Sequence, residues 1–154
     1  MAKVTTQITV INRSDEILAE RGLLPANRVR KVMLDEIVID SGAIMLALPI
    51  TIIEQLGLEP LKEAERYQRT RVFQDAKIWL GDRVGVFQCL ELPDGDDPLL
   101  GVIPMQELGI KLDLQKHELR FLPMEPGNTY YTAYGHTLFN LDGTPLDQNE
   151  LRAR

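Results

Sequence analysis

The chain has 154 residues and a mass of 17.5 kDa, which suits one domain with a real core and excludes two full-sized lobes. Apolar residues make up 44%, too many for a disordered chain, and the net charge of −6 argues against nucleic acid as the main partner, because phosphate binding needs a cationic face. A single cysteine, Cys89, excludes an intramolecular disulfide; with only His117 and His136 beside it, it also excludes a standard structural zinc site. No metal and no cofactor are therefore expected. The lone thiol suits a reducing, cytoplasmic compartment. The opening Met1-Ala2-Lys3-Val4 shows no signal-peptide pattern, and no run of apolar residues is long enough to span a membrane.

Residues 3–11 are rich in β-branched side chains and predict a strand. Residues 12–28 are polar and broken by Gly22 and Pro25, which predicts a loop or wide hairpin. Residues 29–39 alternate and then become wholly apolar at Ile37-Val38-Ile39, the pattern of a strand entering a core. That run stops at Asp40-Ser41-Gly42-Ala43. Next comes a short predicted helix, opened by Pro49 at its first position and closed by Leu56-Gly57-Leu58, with Gly57 in a left-handed cap.

Residues 70–92 predict two strands around a turn at Gly81-Asp82-Arg83. Val72, Gln74, Ala76, Ile78 and Leu80 share one predicted face; Phe73, Lys77 and Trp79 share the other, with Trp79 packed in the sheet. Pro93-Asp94-Gly95-Asp96-Asp97-Pro98 is a loop by composition. The chain then repeats itself. Leu99-Leu100-Gly101 precedes a second proline-opened helix that ends Glu107-Leu108-Gly109-Ile110, just as the first ends Gln55-Leu56-Gly57-Leu58. A duplicated strand–loop–helix unit predicts two pseudo-twofold halves. Residues 113–122 read as a hairpin, with His117 exposed in its turn. A domain over residues 1–126 and an extension over 127–154, holding three of the four tyrosines, complete the reading.

Asp40 is the most informative residue. A carboxylate at the end of a fully apolar run costs free energy unless something pairs with it or shares its proton. By composition alone an Asp-Ser/Thr-Gly tripeptide occurs in about one chain of this size in fifteen, so the tripeptide carries little by itself. Its setting carries more: an apolar strand before it, a capped helix after it, and a second apolar-apolar-Gly unit downstream.

On Asp40-Ser41-Gly42-Ala43, Leu56-Gly57-Leu58 and residues 99–110, followed by Asp113, the chain resembles the retropepsin-like (retroviral-type) aspartic proteases, small bacterial members especially, over about residues 29–122. The resemblance implies a mainly β fold, a closed acid-protease barrel with one or two short helices. It also implies a homodimer whose active site lies on the twofold axis and acts on a peptide or protein substrate. Asp40 would be the catalytic acid/base, one from each subunit. Ser41 would hydrogen-bond across the axis, and Gly42 would let backbone approach substrate. Leu99, Leu100 and Gly101 would pack beneath the loop. Ala43, Ile44 and Met45 would lie near substrate side chains, with core packing the alternative for Ile44 and Met45. Chemistry agrees, since hydrolysis by carboxylates needs two of them and one copy of the motif makes a pair only with a second chain.

Members of this family close a glycine-tipped hairpin flap over substrate. No glycine occurs between Leu58 and Leu80. The charged segment 62–71 is either a reduced flap, with Tyr67 a candidate substrate contact, or a solvated connection; Arg66, Arg69 and Arg71 read as a soluble face. Two further readings stand beside the peptidase: a non-enzymatic dimeric peptide-binding module on the same fold, and an unrelated α+β interaction protein in which Asp40 is a turn residue.

Overall fold

The computed structural model describes residues 3–61 and 70–123. Twelve elements follow in order: β1 (Thr5–Asn12), α1 (Arg13–Glu20), a 3-10 turn (Ala26–Arg28), β2 (Lys31–Ile39), β3 (Leu46–Pro49), α2 (Ile50–Leu56), β4 (Val72–Leu80), β5 (Arg83–Leu92), β6 (Leu99–Leu100), α3 (Val102–Leu108), β7 (Ile110–Asp113) and β8 (Glu118–Phe121). Six strands close a barrel in the order β1-β2-β6-β3-β5-β4, with β4 returning to β1. β7 and β8 pair separately as the expected hairpin. The mainly β closed barrel expected from the sequence is what the chain forms.

Alternation fills the barrel. Ile8 and Val10 of β1, Ile37 and Ile39 of β2, and Ile78 and Leu80 of β4 are each at most 4% exposed, whereas their strand neighbours Thr9, Val38 and Trp79 face outward or are only partly covered. Each such aliphatic side chain contributes about 1.5–3 kcal/mol by leaving water. The same core takes up the inner faces of α2 and α3 through Ile53, Leu56, Met105 and Leu108.

The two Leu-Gly stops behave as expected. Gly57 (φ 62°, ψ 34°) and Gly109 (φ 66°, ψ 43°) are both left-handed C-caps, a conformation that costs glycine nothing because it has no Cβ. Each cap also receives a buried donor from a distant strand. Asn12 Nδ2 donates to Leu56 O at 2.7 Å and Gly57 O at 3.3 Å. Arg83 Nη1 donates to Leu108 O at 3.1 Å and Gly109 O at 3.3 Å. A helix leaves its last carbonyls unpaired. Here one polar side chain per half satisfies them inside the protein, so the pseudo-twofold repeat extends to its caps.

Several expectations need correcting. Residues 12–28 are not a loop or hairpin: they hold α1 and the 3-10 turn, which makes three α-helices rather than one or two. Asn12 is the reason, because its side-chain oxygen accepts from Asp15 N at 3.0 Å and caps α1, with Asp15 and Glu16 in the first turn. Pro49 is the cap of α2, not its first residue, and it also ends the four-residue strand β3, which was not foreseen. Pro104 stands third in α3, where its missing N–H leaves no intrahelical bond unmade. Phe73 does not share the outer face with Lys77. A bulge between Phe73 and Ala76, with Asp75 at φ 65°, turns Phe73 inward to 4% exposure. Trp79 is 39% exposed on the outer wall, its ring 5.7 Å from Lys77 Nζ. Arg83 is the buried first residue of β5, not part of the turn. His117 is exposed in the β7–β8 turn, as expected.

Asp15 carries a pH dependence of stability. It is 6% exposed and accepts from Arg30 N (3.0 Å), Nε (2.8 Å) and Nη2 (3.0 Å). The Arg30 side chain, above all, holds the Asp15 carboxyl below its ordinary value near 3.8, against the opposing effect of burial. A depressed folded-state value means the stabilisation is present above the unfolded-state value and is lost as pH falls through the folded one. Breaking a buried pair costs 3–5 kcal/mol. The Arg30 side chain is half exposed, so Asp15→Asn is expected to cost about 1–3 kcal/mol at pH 7. That gap is expected to narrow as pH falls below about 3.8, toward the lower folded-state value. Urea unfolding at pH 7 and pH 3 checks it; an equal gap at both would remove the ion pair from the account.

Candidate functional site

β6 is two residues long and lies between β2, to which it is parallel, and β3, to which it is antiparallel. Val38 pairs with Leu99, Ile39 with Leu100, and Ala47 with Leu99. The chain therefore leaves β2 on one side of β6 and re-enters the sheet at β3 on the other. Residues 40–45 must cross the end of β6, and Asp40 begins that crossing.

Main-chain bonds hold the crossing in place. Asp40 N donates to Leu100 O at 3.0 Å and Ala43 N to Asp40 O at 3.1 Å. From the helix side, Val102 N donates to Ala43 O and Ile103 N to Ile44 O, both at 2.9 Å. These are two of the N–H groups that the first turn of α3 leaves unpaired, so the loop caps that helix. Gly101 lies directly beneath. A Cβ there would stand 2.6 Å from Met45 O, 2.7 Å from Ala43 O and 2.7 Å from Ile44 C. Only glycine allows the loop to come so close.

The Asp40 carboxylate is only partly buried. Its Oδ1 accepts from Gly42 N at 2.8 Å. A Cβ on Gly42 would stand 3.2 Å from the same oxygen, so glycine there leaves the carboxylate its room. Among the described residues no side chain hydrogen-bonds to Asp40. It is thus oriented by its own loop and open on its outer side. Such a group can accept a proton, give one up, or polarise a bound water.

The other expected residues are arranged as follows. Ser41 is exposed beside Asp40 and lines a cavity of about 380 Å³ with Met105, Ile110 and Leu112, where Leu114 is 68% exposed. Ala43 is partly buried in the crossing. Ile44 is 67% exposed, which removes core packing as its role. Met45 is half-buried and lines a separate cavity of about 280 Å³ with Val86, Ile103 and Glu107. Leu100 is fully buried and Leu99 partly so. Tyr67, Arg66 and Arg69 lie outside the described residues, as do the 127–154 extension and the 126 boundary.

The ends that flank residues 62–69 do pair. Leu61 N donates to Val72 O at 2.9 Å and Gln74 N to Glu59 O at 3.0 Å, so the chain leaves and returns as an antiparallel ladder. Arg71 is held by Glu91, its Nε 2.5 Å from the carboxylate, which fits a soluble face.

Other chemistries are disfavoured by placement. Cys89 is fully buried, and burial pushes its thiol up to about 12, far from thiolate at neutral pH. Among the described residues no three His, Cys, Asp or Glu side chains gather as a metal site, and no helix is long and apolar enough to cross a membrane. Sequence reasoning missed the buried polar residues Asn12, Asp15 and Arg83. For Asn12 a signal was present: Asn three residues ahead of Asp15, with Glu16 next, is a helix-opening pattern.

No family model matches the chain, and no curated protein does. Among solved structures it is similar to the retroviral protease-like domain of Ddi1 from Leishmania major, with TM-score 0.48 and 16% identity over 80% of this chain and 92% of that one. It is also similar to a retropepsin-like aspartic protease from Rickettsia conorii, with TM-score 0.43 and 17% identity over 71% of this chain and 76% of that one.

Proposed function

We propose that this chain is a homodimeric aspartic endopeptidase in which Asp40 of each subunit faces the other across a twofold axis. The observation that carries the reading is the Asp40 crossing: a carboxylate fixed by main chain and Gly42 at the mouth of an apolar strand, open on its outer side. One such group lacks the second partner that peptide hydrolysis needs, and a C2 axis supplies it from an identical chain. Exposed apolar side chains around the loop, Ile44, Ile103 and Leu114, support a contact on this side.

The mechanism follows from one proton shared by two carboxylates. The ionised group draws a proton from a water held between them. The resulting hydroxide equivalent attacks the scissile carbonyl carbon, while the protonated group donates to the carbonyl oxygen. The tetrahedral intermediate collapses as the C–N bond breaks: the carboxyl that took the water's proton gives it to the leaving nitrogen, and the other carboxylate takes a proton back from the gem-diol hydroxyl, restoring the shared proton. Ser41 would brace the two loops across the axis, and Gly42 would let substrate backbone approach. Ala43, Ile44 and Met45 would offer apolar contacts to substrate, with Tyr67 a further contact from the 62–69 segment. Residues 1–126 would form the peptidase domain and 127–154 an extension. The buried Cys89 suits a reducing, cytoplasmic compartment.

Turnover of a broad peptide library from pH 3 to 8 tests this. Hydrolysis with an acidic optimum, blocked by a statine-type transition-state mimic, is expected. Activity that only grows into alkaline conditions would contradict the shared proton. A second reading, a dimeric peptide-binding module without turnover, is favoured by the absence of glycine between Leu58 and Leu80, where a closing hairpin needs one. That reading predicts no cleavage at any pH and no stabilisation by the statine compound.

A further inference from the structure

A groove of about 780 Å³ opens where α1, the 3-10 turn, the start of β2 and the end of α2 meet. Leu24, Pro25 and Val29 give it apolar walls, and Arg28, Arg30 and Lys31 line it with three cations. Asp15 is the one carboxylate in its lining, and Arg30 already neutralises it. Among the described residues Arg28 and Lys31 have no ion-pair partner, and both are exposed. Glu59 is the other acidic group whose field reaches Arg30. The groove therefore keeps a positive balance on a chain whose net charge is −6.

Arg30 is also preorganised. Its Nε and Nη2 are tied to Asp15, and its guanidinium rests on Gly57, where a Cβ would fall 1.8 Å from Nη1. The side-chain freedom that binding usually removes is here already lost on folding.

We propose that this groove docks an acidic peptide segment carrying apolar side chains between its carboxylates. Charge complementarity places the carboxylates on Arg28 and Lys31, and the walls take the apolar groups. A nucleic acid suits it less well, because the acidic remainder of the chain repels a uniform polyanion and the apolar walls give phosphates nothing. The groove sits at the opposite end of β2 from Asp40, with Lys31 roughly 30 Å away along the strand at about 3.3 Å per residue. Docking is thus separate from any chemistry at Asp40.

Fluorescence anisotropy with a labelled peptide of alternating Glu and Leu, about ten residues long, tests the proposal, with its Gln-for-Glu counterpart as comparison. The acidic peptide is expected to bind at least about 10-fold more tightly at low salt, and to weaken as salt screens the contact. Arg28→Glu combined with Lys31→Glu is expected to abolish the difference. Both residues are exposed, so an unchanged melting temperature will show that the fold is intact. Asp40→Asn is expected to bind like the wild type, so docking stands or falls apart from the peptidase reading. Equal binding of the two peptides, undiminished binding by the double variant, or displacement by an oligonucleotide of equal charge at lower concentration would each overturn it.

Discussion

Replacing Asp40 by Asn is expected to lower kcat for peptide hydrolysis by about 10³-fold or more, with melting temperature and dimer content unchanged. Asn is nearly the same shape, and its amide oxygen can accept from Gly42 N as Asp40 Oδ1 does at 2.8 Å. The main-chain bonds that shape the crossing, from Asp40 N to Leu100 O and from Val102 N to Ala43 O, do not involve the side chain. What disappears is the capacity to hold and release a proton. Subunit exchange sharpens the test. An excess of Asp40→Asn chain is expected to extinguish wild-type activity, because each mixed dimer holds only one working carboxylate. Peptide cleavage, calorimetry and sedimentation on the same samples check all three parts. Activity that stays proportional to the wild-type chain would mean that each carboxylate acts alone.

Gly101→Ala is expected to destabilise the protein by about 3 kcal/mol or more. The added methyl would meet Met45 O at 2.6 Å and Ala43 O at 2.7 Å, and both are backbone. No rotamer change relieves such a clash. Either the crossing lifts away from β6, which breaks the bonds from Val102 N and Ile103 N, or β6 shifts against β2 and β3. Neither movement leaves Asp40 where it is, so the variant is also expected to lose hydrolysis under conditions where it remains folded. Chemical denaturation measures the first effect and single-turnover cleavage the second. An unchanged unfolding midpoint would mean that the loop does not rest on Gly101.

The parts of this molecule that could be read in advance are those where one residue type answers to one physical demand. Gly57 and Gly109 after leucine marked helix ends because the left-handed conformation excludes nearly everything else. Ile37-Val38-Ile39 marked a strand entering the core, and its abrupt stop marked the strand's end at Asp40. The parts that escaped depend on partners far away in sequence. Asn12 looks like a loop residue until its carboxamide is seen to open α1 with one end and close α2 with the other. Arg83 reads as a turn cation, yet its guanidinium lies against the end of α3, where Leu108 O and Gly109 O satisfy it. Phe73 followed strict alternation on paper, and the Asp75 bulge slipped it to the other face. Pro49 and Pro104 signalled helices correctly but not their first residues, since proline is tolerated across the whole first turn. The placement of Asp40 relative to any second copy lies beyond local pattern, because periodicity is blind to where two molecules meet.

The threading of β6 sets an order of assembly. Residues 38–39 and 47 are synthesised long before residues 99–100, yet their strands have nothing between them until those two leucines arrive. Gly101, Val102 and Ile103 follow at once and supply the floor and two of the donors for the Asp40 bend. A nascent chain halted before Leu99 therefore exposes two unpaired strand edges and carries no finished Asp40 bend. Whatever hydrolytic capacity the molecule has is withheld until about two thirds of it has been made, and sequence-distant contacts of this kind also slow folding.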